Sequence, residues 1–153
     1  MRKIQNPPTF RIDPCFVLMP FANQFNLVYE MIKATLQSTE INLVCNRAED
    51  FQKPYTLESI LENLLRSEFI IADLTGANAN VFYELGLAHA VKKNGSIIII
   101  AQELSSIPFD LHQNRCIIYD NTLKGLQQLK DKINLAFHKR RTSINLNKTQ
   151  QEN

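Results

Sequence analysis

Five short apolar segments alternate with helix-forming segments along this chain, and this alternation restricts the fold more than any other feature. The apolar segments are residues 15–19, 41–45, 69–72, 96–101 and 115–119. Each is short and rich in residues that favour buried strands. The helices are expected at about 25–38, 57–66, 81–93 and 123–141. A strand–helix alternation of this kind predicts a parallel sheet that is covered by helices on both faces.

The predicted fold is therefore α/β, a flavodoxin-like three-layer α/β/α sandwich with a five-stranded parallel sheet. Because crossover connections are right-handed, the strand order 2-1-3-4-5 is the most economical arrangement. One domain is expected over residues 14–141, after an irregular lead-in at residues 1–13. Residues 142–153 are polar without an apolar pattern, which predicts a disordered tail.

The composition is that of an ordinary globular protein, with 44% hydrophobic and 21% charged residues. A formal net charge of +2 is too small to predict binding to nucleic acid or to a membrane surface. The amino terminus lacks the apolar stretch of a signal peptide, and the longest aliphatic run, residues 97–100, is too short to span a bilayer. The three cysteines lie in apolar segments without zinc-site spacing, so no metal and a cytoplasmic location are expected.

Residues 69–90, FIIADLTGANANVFYELGLAHA, form the segment in which we expect the functional site. They run from a buried strand through a polar loop into a helix. In open α/β sheets, ligands bind at the carboxyl ends of strands and at the starts of the helices that follow. Strands 1 and 3 should end side by side there. The side chains expected at this edge are Phe21, Arg47, Glu49, Asp73, Thr75, Asn78, Asn80, Glu84 and Gln102.

Glu84 is the leading candidate for a catalytic residue. It is expected in or just after the first turn of a helix whose N-cap is predicted to be Asn80. The helix dipole favours its ionised form there, whereas burial would raise its pKa. The role of a nucleophile or a cation stabiliser therefore suits it better than that of an acid. The alternative is an acid that only stabilises the start of the helix.

The other polar residues each have a structural alternative. Asp73 either orients a sugar hydroxyl or a base, or it only ties down the loop that follows. Asn78 and Asn80 fit turn and cap positions as well as ligand contacts. Arg47 either binds a phosphate or carboxylate or joins a surface ion network with Glu49. The motifs GxGxxG and GxxxxGK[ST] do not occur, which disfavours a Rossmann dehydrogenase and a P-loop kinase.

Three segments together resemble a known family. They read FVLMPF at residues 16–21, RAED at 47–50 and IADLTGANANVFYELGLAHA at 71–90. This combination is similar to that of bacterial TIR-like proteins that are related to the nucleoside 2-deoxyribosyltransferases. The similarity covers roughly residues 14–120, and PFDL at 108–111 also fits the pattern.

The resemblance implies chemistry at an N-glycosidic bond, without a cofactor and with a nucleoside, a nucleotide or NAD as the substrate. In the transferases, a glutamate followed by an apolar residue and glycine attacks the anomeric carbon of the sugar, and Glu84 matches it. In TIR-domain NAD hydrolases, a glutamate in a comparable place supports the loss of nicotinamide. An aspartate that helps to handle the base matches Asp73. The transferases complete their sites across subunits, which implies a homo-oligomer.

The chain departs from the transferases at residues 78–81, where their Asp-Pro-Gly-Thr reads Asn-Ala-Asn-Val. An acid is lost there, which argues against transfer between bases more than against cleavage of the bond, and leaves hydrolysis and transfer both open. The expected function is cleavage of an N-glycosidic bond, in which Glu84 captures or stabilises the sugar cation, as in retaining glycosidases. The alternative is a non-catalytic TIR-like module that binds a nucleotide or self-associates in bacterial signalling or defence. Substrate contacts are expected from Phe21, Arg47, Glu49, Thr75, Asn78 and Asn80, with Asp73 assisting Glu84.

Overall fold

A five-stranded sheet forms the centre of the computed structural model, which describes residues 14–38, 40–50, 54–93, 95–112 and 116–151. The strands are β1 (Cys15–Leu18), β2 (Cys45–Arg47), β3 (Phe69–Asp73), β4 (Ile97–Ala101) and β5 (Cys116–Ile118). All neighbouring strands are parallel, and their order is β2-β1-β3-β4-β5. The flavodoxin-like α/β fold and the strand order that the sequence predicts are confirmed.

Within the described residues, four α-helices cover the two faces of the sheet. They are α1 (Asn26–Gln37), α2 (Leu57–Arg66), α3 (Ala79–Val91) and α4 (Leu123–Gln151). Helices α1 and α4 share one apolar core with the sheet, and α2 and α3 share the other. Along β1, Cys15 and Val17 face the first core, whereas Phe16 and Leu18 face the second. Burial on both faces explains why the central strands appear as unbroken apolar runs.

The second strand lies later in the chain than the sequence predicts. The apolar pattern favours a strand at residues 41–45, but β2 begins at Cys45, which pairs with Cys15, and continues to Arg47. Ile41 and Leu43 are buried in the first core outside the strand, and Asn42 between them has a φ of 53°. The apolar residues thus predicted burial correctly. An edge strand pairs on one side only and so admits the polar residues of β2.

Helix α3 begins two residues earlier than predicted because Asn78, and not Asn80, is its N-cap. The Asn78 Oδ1 atom accepts hydrogen bonds from the backbone nitrogens of Asn80 at 3.0 Å and Val81 at 3.2 Å. Glu84 therefore lies in the second turn of the helix. The helix also ends two residues early, at Val91.

The last helix is longer than its apolar pattern predicts. Apolar side chains anchor α4 as far as Phe137, yet its backbone is helical through Gln151. Residues 142–151, for which the sequence predicts disorder, are thus part of a helix. Extending an existing helix requires no new nucleation, so it can continue without an apolar stripe. The predicted lead-in at residues 1–13 lies outside the described residues.

Candidate functional site

A cavity of about 210 Å³ lies at the carboxyl edge of the sheet. One side of the cavity consists of residues that follow β1, and the other side consists of residues at the start of α3. The cavity therefore lies at the point where the strand order reverses. Its wall consists of Met19, Pro20, Phe21, Asn78, Asn80, Val81 and Glu84. Of the predicted site residues, the cavity brings together Phe21, Asn78, Asn80 and Glu84.

Glu84 supplies the only carboxylate among the described residues that line this cavity, and its side chain is 6% exposed. The hydroxyl of Tyr55 donates a hydrogen bond to Glu84 Oε1 at 2.5 Å. Burial raises the pKa of Glu84, and the hydrogen bond from Tyr55 opposes that rise because it favours the charged form. A carboxylate in this setting can stabilise a positive charge that develops in the cavity.

Tyr55 is the residue of the candidate site that the sequence did not reveal. It stands just before Thr56, the N-cap of α2, and its ring meets that of Phe21 edge-on with centroids 5.8 Å apart. Burial and then the hydrogen bond to Glu84 raise the pKa of Tyr55 far above its usual range, so the hydroxyl stays protonated. Tyr55 lies 29 positions before Glu84. Their contact arises from the packing of α2 against α3, which no spacing in the sequence indicates.

Asp73 is fully buried in a closed hydrogen-bond network and does not line the cavity. Its Oδ1 atom accepts from the backbone nitrogen of Thr75 at 3.0 Å and from the Thr75 hydroxyl at 2.6 Å. Its Oδ2 atom accepts from the hydroxyl of Tyr119 at 2.6 Å. Burial raises the pKa of Asp73, and these hydrogen bonds act in the opposite direction. The contacts match the alternative in which Asp73 ties down the loop after β3.

Thr75 and Gln102 extend the same network. The Thr75 hydroxyl oxygen accepts from the backbone nitrogen of Gln102 at 3.0 Å, and the Gln102 side-chain amide donates to the Tyr119 hydroxyl at 3.2 Å. The network therefore links the loops after β3 and β4 to the end of β5. Neither Thr75 nor Gln102 is part of the cavity wall.

Arg47 belongs to a second polar cluster, at the end of β2. Its guanidinium lies over the ring of Tyr29 with 4.2 Å to the centroid, pairs with Glu49 Oε2 at 2.9 Å and donates to Asn26 Oδ1 at 3.0 Å. The cluster adjoins the cavity through Met19, whose Sδ atom lies 3.9 Å from Arg47 Nη1. Arg47 and Glu49 are thus partners of each other and do not line the cavity.

Comparisons with known proteins do not assign the chain to a family: no family model matches it, and a search of curated proteins finds no similar sequence. The resemblance to TIR-like proteins and deoxyribosyltransferases therefore stays a prediction. Within the described ranges, no three His, Cys, Asp or Glu side chains come together as a group that could hold a metal ion. No helix in that part of the chain combines the length and the apolar composition that crossing a bilayer requires. The fold and site define a flavodoxin-like α/β protein with a carboxylate-bearing cavity at its switch point.

Proposed function

We propose that this protein cleaves an N-glycosidic bond and that Glu84 stabilises or captures the sugar cation formed when the base leaves. The observation that supports this most is the buried Glu84 carboxylate, held by Tyr55 inside a cavity at the switch point. A sugar that loses its base resembles an oxocarbenium ion, and a nearby carboxylate lowers the energy of that ion. The effect is largest where protein groups replace water, as they do around Glu84.

The charge of the cavity favours an uncharged nucleoside over a nucleotide or NAD. The described residues that line it include one acid and no lysine or arginine. Arg47, the nearest candidate for a phosphate, is already paired with Glu49. Two of the backbone nitrogens at the start of α3, those of Asn80 and Val81, are also engaged, because Asn78 Oδ1 accepts from them. A phosphate near Glu84 would meet a like charge without compensation.

The other residues of the wall suit substrate binding. Asn80 presents an exposed amide at the cavity, and the Asn78 amide nitrogen is not used in capping α3, so both can hydrogen-bond sugar hydroxyls. Phe21 is half exposed at the cavity and offers an aromatic surface to a base. Asp73 and Arg47 have no direct role in this proposal, because the Asp73 carboxylate already accepts hydrogen bonds within the protein and Arg47 pairs with Glu49 outside the cavity.

The test is a chromatographic assay for released base or nicotinamide. Purified protein is incubated with ribonucleosides, deoxynucleosides, their 5′-phosphates and NAD. Glu84→Gln keeps the shape of the side chain and removes its charge, so we expect base release to fall by about 10²–10³-fold or more. Glu49→Gln changes an acid at the same edge but outside the cavity, and its turnover should match that of the wild type.

Unchanged base release from folded Glu84→Gln would refute the proposal. The alternative is a non-catalytic module that binds a nucleotide or self-associates. Large exposed side chains on neighbouring helices, Leu65 on α2 and Tyr83 on α3, favour self-association. A module of this kind would bind a ligand or form oligomers without releasing a base. Neither the wild type nor Glu84→Gln would then show turnover.

A further inference from the structure

Two apolar stripes lie next to each other on the outer surface of α2 and α3. Each repeats at every fourth residue, which keeps its side chains on one side of the helix. Four of the six side chains are exposed by 38–61%, and the other two are partly buried. We call these six residues, Leu57, Leu61 and Leu65 on α2 with Tyr83, Leu87 and Val91 on α3, the α2–α3 seam.

Two hydrogen bonds, one at each end, show that α2 and α3 lie side by side. At one end, Tyr55 just before α2 binds Glu84 in α3. At the other end, the ammonium group of Lys92, just after α3, donates to the carbonyl oxygen of Leu65 at 3.2 Å. The seam is therefore continuous over the ten residues of α2, about 15 Å at 1.5 Å per residue.

The seam has the composition of a surface that is covered by another protein. Among the 13 residues of α3 there is no lysine or arginine, and the one acid, Glu84, is buried. A helix that is apolar all round is normally buried, and contiguous exposed apolar residues indicate an interaction site. The exposed Gly86 adds to this. A Cβ atom there would meet none of the described residues within 4 Å, so no contact in that part of the chain requires a glycine that weakens the helix.

We propose that the seam binds the seam of a second copy of this chain around a two-fold axis. Such an axis reverses the direction of the seam, so its start in one copy meets its end in the other. The exposed acid Glu58 lies at the start, and the exposed Lys93 lies at the end. The two-fold arrangement therefore brings opposite charges together twice, which favours a second copy as the occupant. This inference does not depend on the proposed chemistry of Glu84.

The dimer should be weak. Six side chains per copy are fewer than the roughly 20–30 residues that each partner contributes to a standard interface. We expect a dissociation constant on the order of 10 µM, so the protein would be largely monomeric at nanomolar concentration and dimeric near 100 µM.

Sedimentation velocity of the full chain over this range of concentrations tests the proposal. The average mass of the wild type should rise from that of a monomer towards that of a dimer. Leu65→Lys places a charge in the seam and should weaken dimerisation by at least about ten-fold. Leu135→Lys is the matched control, because Leu135 is 55% exposed on α4, which packs on the other face of the sheet.

A charge exchange tests the two-fold arrangement itself. Glu58→Lys and Lys93→Glu should each weaken the dimer, and the double variant should recover to within about three-fold of the wild type. Far-UV circular dichroism confirms that each variant is folded. A wild type that stays monomeric at every concentration would overturn the proposal. If residues 1–13 of that monomer also cross-linked to α2, the occupant would be the chain's own amino-terminal segment.

Discussion

The charge state of Glu84 depends on one neighbour, Tyr55. Its hydroxyl favours the ionised carboxylate and so limits the rise in pKa that burial causes. Tyr55→Phe removes the hydroxyl and keeps the ring that contacts Phe21. The pKa of Glu84 should then rise further, so the acid limb of the pH profile for base release should move to higher pH. At neutral pH we expect kcat/KM to fall about ten-fold, as the loss of a charge-assisted hydrogen bond implies.

The measurement is the pH dependence of kcat/KM for the wild type, Tyr55→Phe and Tyr83→Phe. Tyr83 precedes Glu84 in α3, but its side chain is 57% exposed. Tyr83→Phe therefore controls for the loss of a tyrosine hydroxyl near the site. If the profile of Tyr55→Phe overlays that of the wild type, Tyr55 does not set the charge of Glu84.

Asp73 should matter for stability more than for turnover. Asp73→Ala would leave both the backbone nitrogen and the hydroxyl of Thr75, and the hydroxyl of Tyr119, without their acceptor. We expect the free energy of unfolding to drop by about 2–4 kcal/mol, because buried donors would lose their partners. Turnover per folded molecule should stay within about three-fold, since Asp73 is not part of the cavity wall.

Urea denaturation and an activity assay corrected for the folded fraction check this expectation, with Asp73→Asn as the milder exchange. A large loss of turnover in a stable Asp73→Asn protein would instead favour the catalytic role that the family resemblance implies.

The direction of side chains at strand ends marks the limit of prediction at the residue scale. The sequence places Glu84, Asn78 and Asn80 in the site, because the polar loop and the helix start that follow a buried strand lie at the carboxyl edge of an α/β sheet. Asp73 and Arg47 are the last residues of their strands, at the same edge of the sheet, yet Tyr119 and Tyr29 bind them away from the cavity. Those partners are distant in sequence, so the periodicity of the chain carries no sign of them.

The elements themselves were predictable where a local signal dominates. Helix α2 has the predicted bounds because an amphipathic pattern follows Pro54 and the Thr56 capping box. The central strands β3 and β4 lie within one residue of their apolar runs. Prediction failed at β2, where burial of Ile41 and Leu43 does not coincide with strand pairing. At an edge strand, tertiary packing outweighs the apolar pattern.

The N-cap of α3 gives a prediction at the scale of an element. Asn78→Ala removes the oxygen that accepts from the backbone nitrogens of Asn80 and Val81 and should lower the free energy of unfolding by about 1 kcal/mol. Asn80→Ala changes a residue inside the helix and should lower it by less than about 0.5 kcal/mol. Urea denaturation of both variants measures the difference. A larger loss for Asn80→Ala would favour the cap that the sequence predicts.

For the whole molecule, the strand order places the cavity. Alternation of strands and helices with right-handed crossovers leaves few arrangements, and the order β2-β1-β3-β4-β5 brings the loop after β1 against the start of α3. The topology was therefore predictable although the sequence has no phosphate-binding motif. The relation between α2 and α3 was not, because it depends on how two helices pack on the sheet. That packing creates both the contact of Tyr55 with Glu84 and the α2–α3 seam.

The stability of the whole protein should depend on the charge of Glu84. Burial raises its pKa in the folded protein above the unfolded value of about 4.5, so the folded state binds the proton more tightly. The contribution of Glu84 to stability therefore falls as pH rises from about 4.5 through the folded-state pKa. Above that pKa the ionised, buried carboxylate destabilises the folded state by its full amount. Glu84→Gln cannot ionise, so it should be more stable than the wild type at pH 7, by about 1 kcal/mol, and similar to it near pH 4.

Urea denaturation of the two proteins at intervals from pH 4 to pH 8 measures this difference. Burial raises the pKa of Asp73 as well, but Asp73 is present in both proteins, so its contribution cancels. A gap that does not change with pH would mean that the Glu84 carboxylate is as well solvated in the folded chain as in the unfolded chain. It would then lack the desolvation that makes it effective next to a sugar cation. A variant that gains stability as it loses base release is expected if the protein keeps a charge in its cavity for chemistry and not for folding.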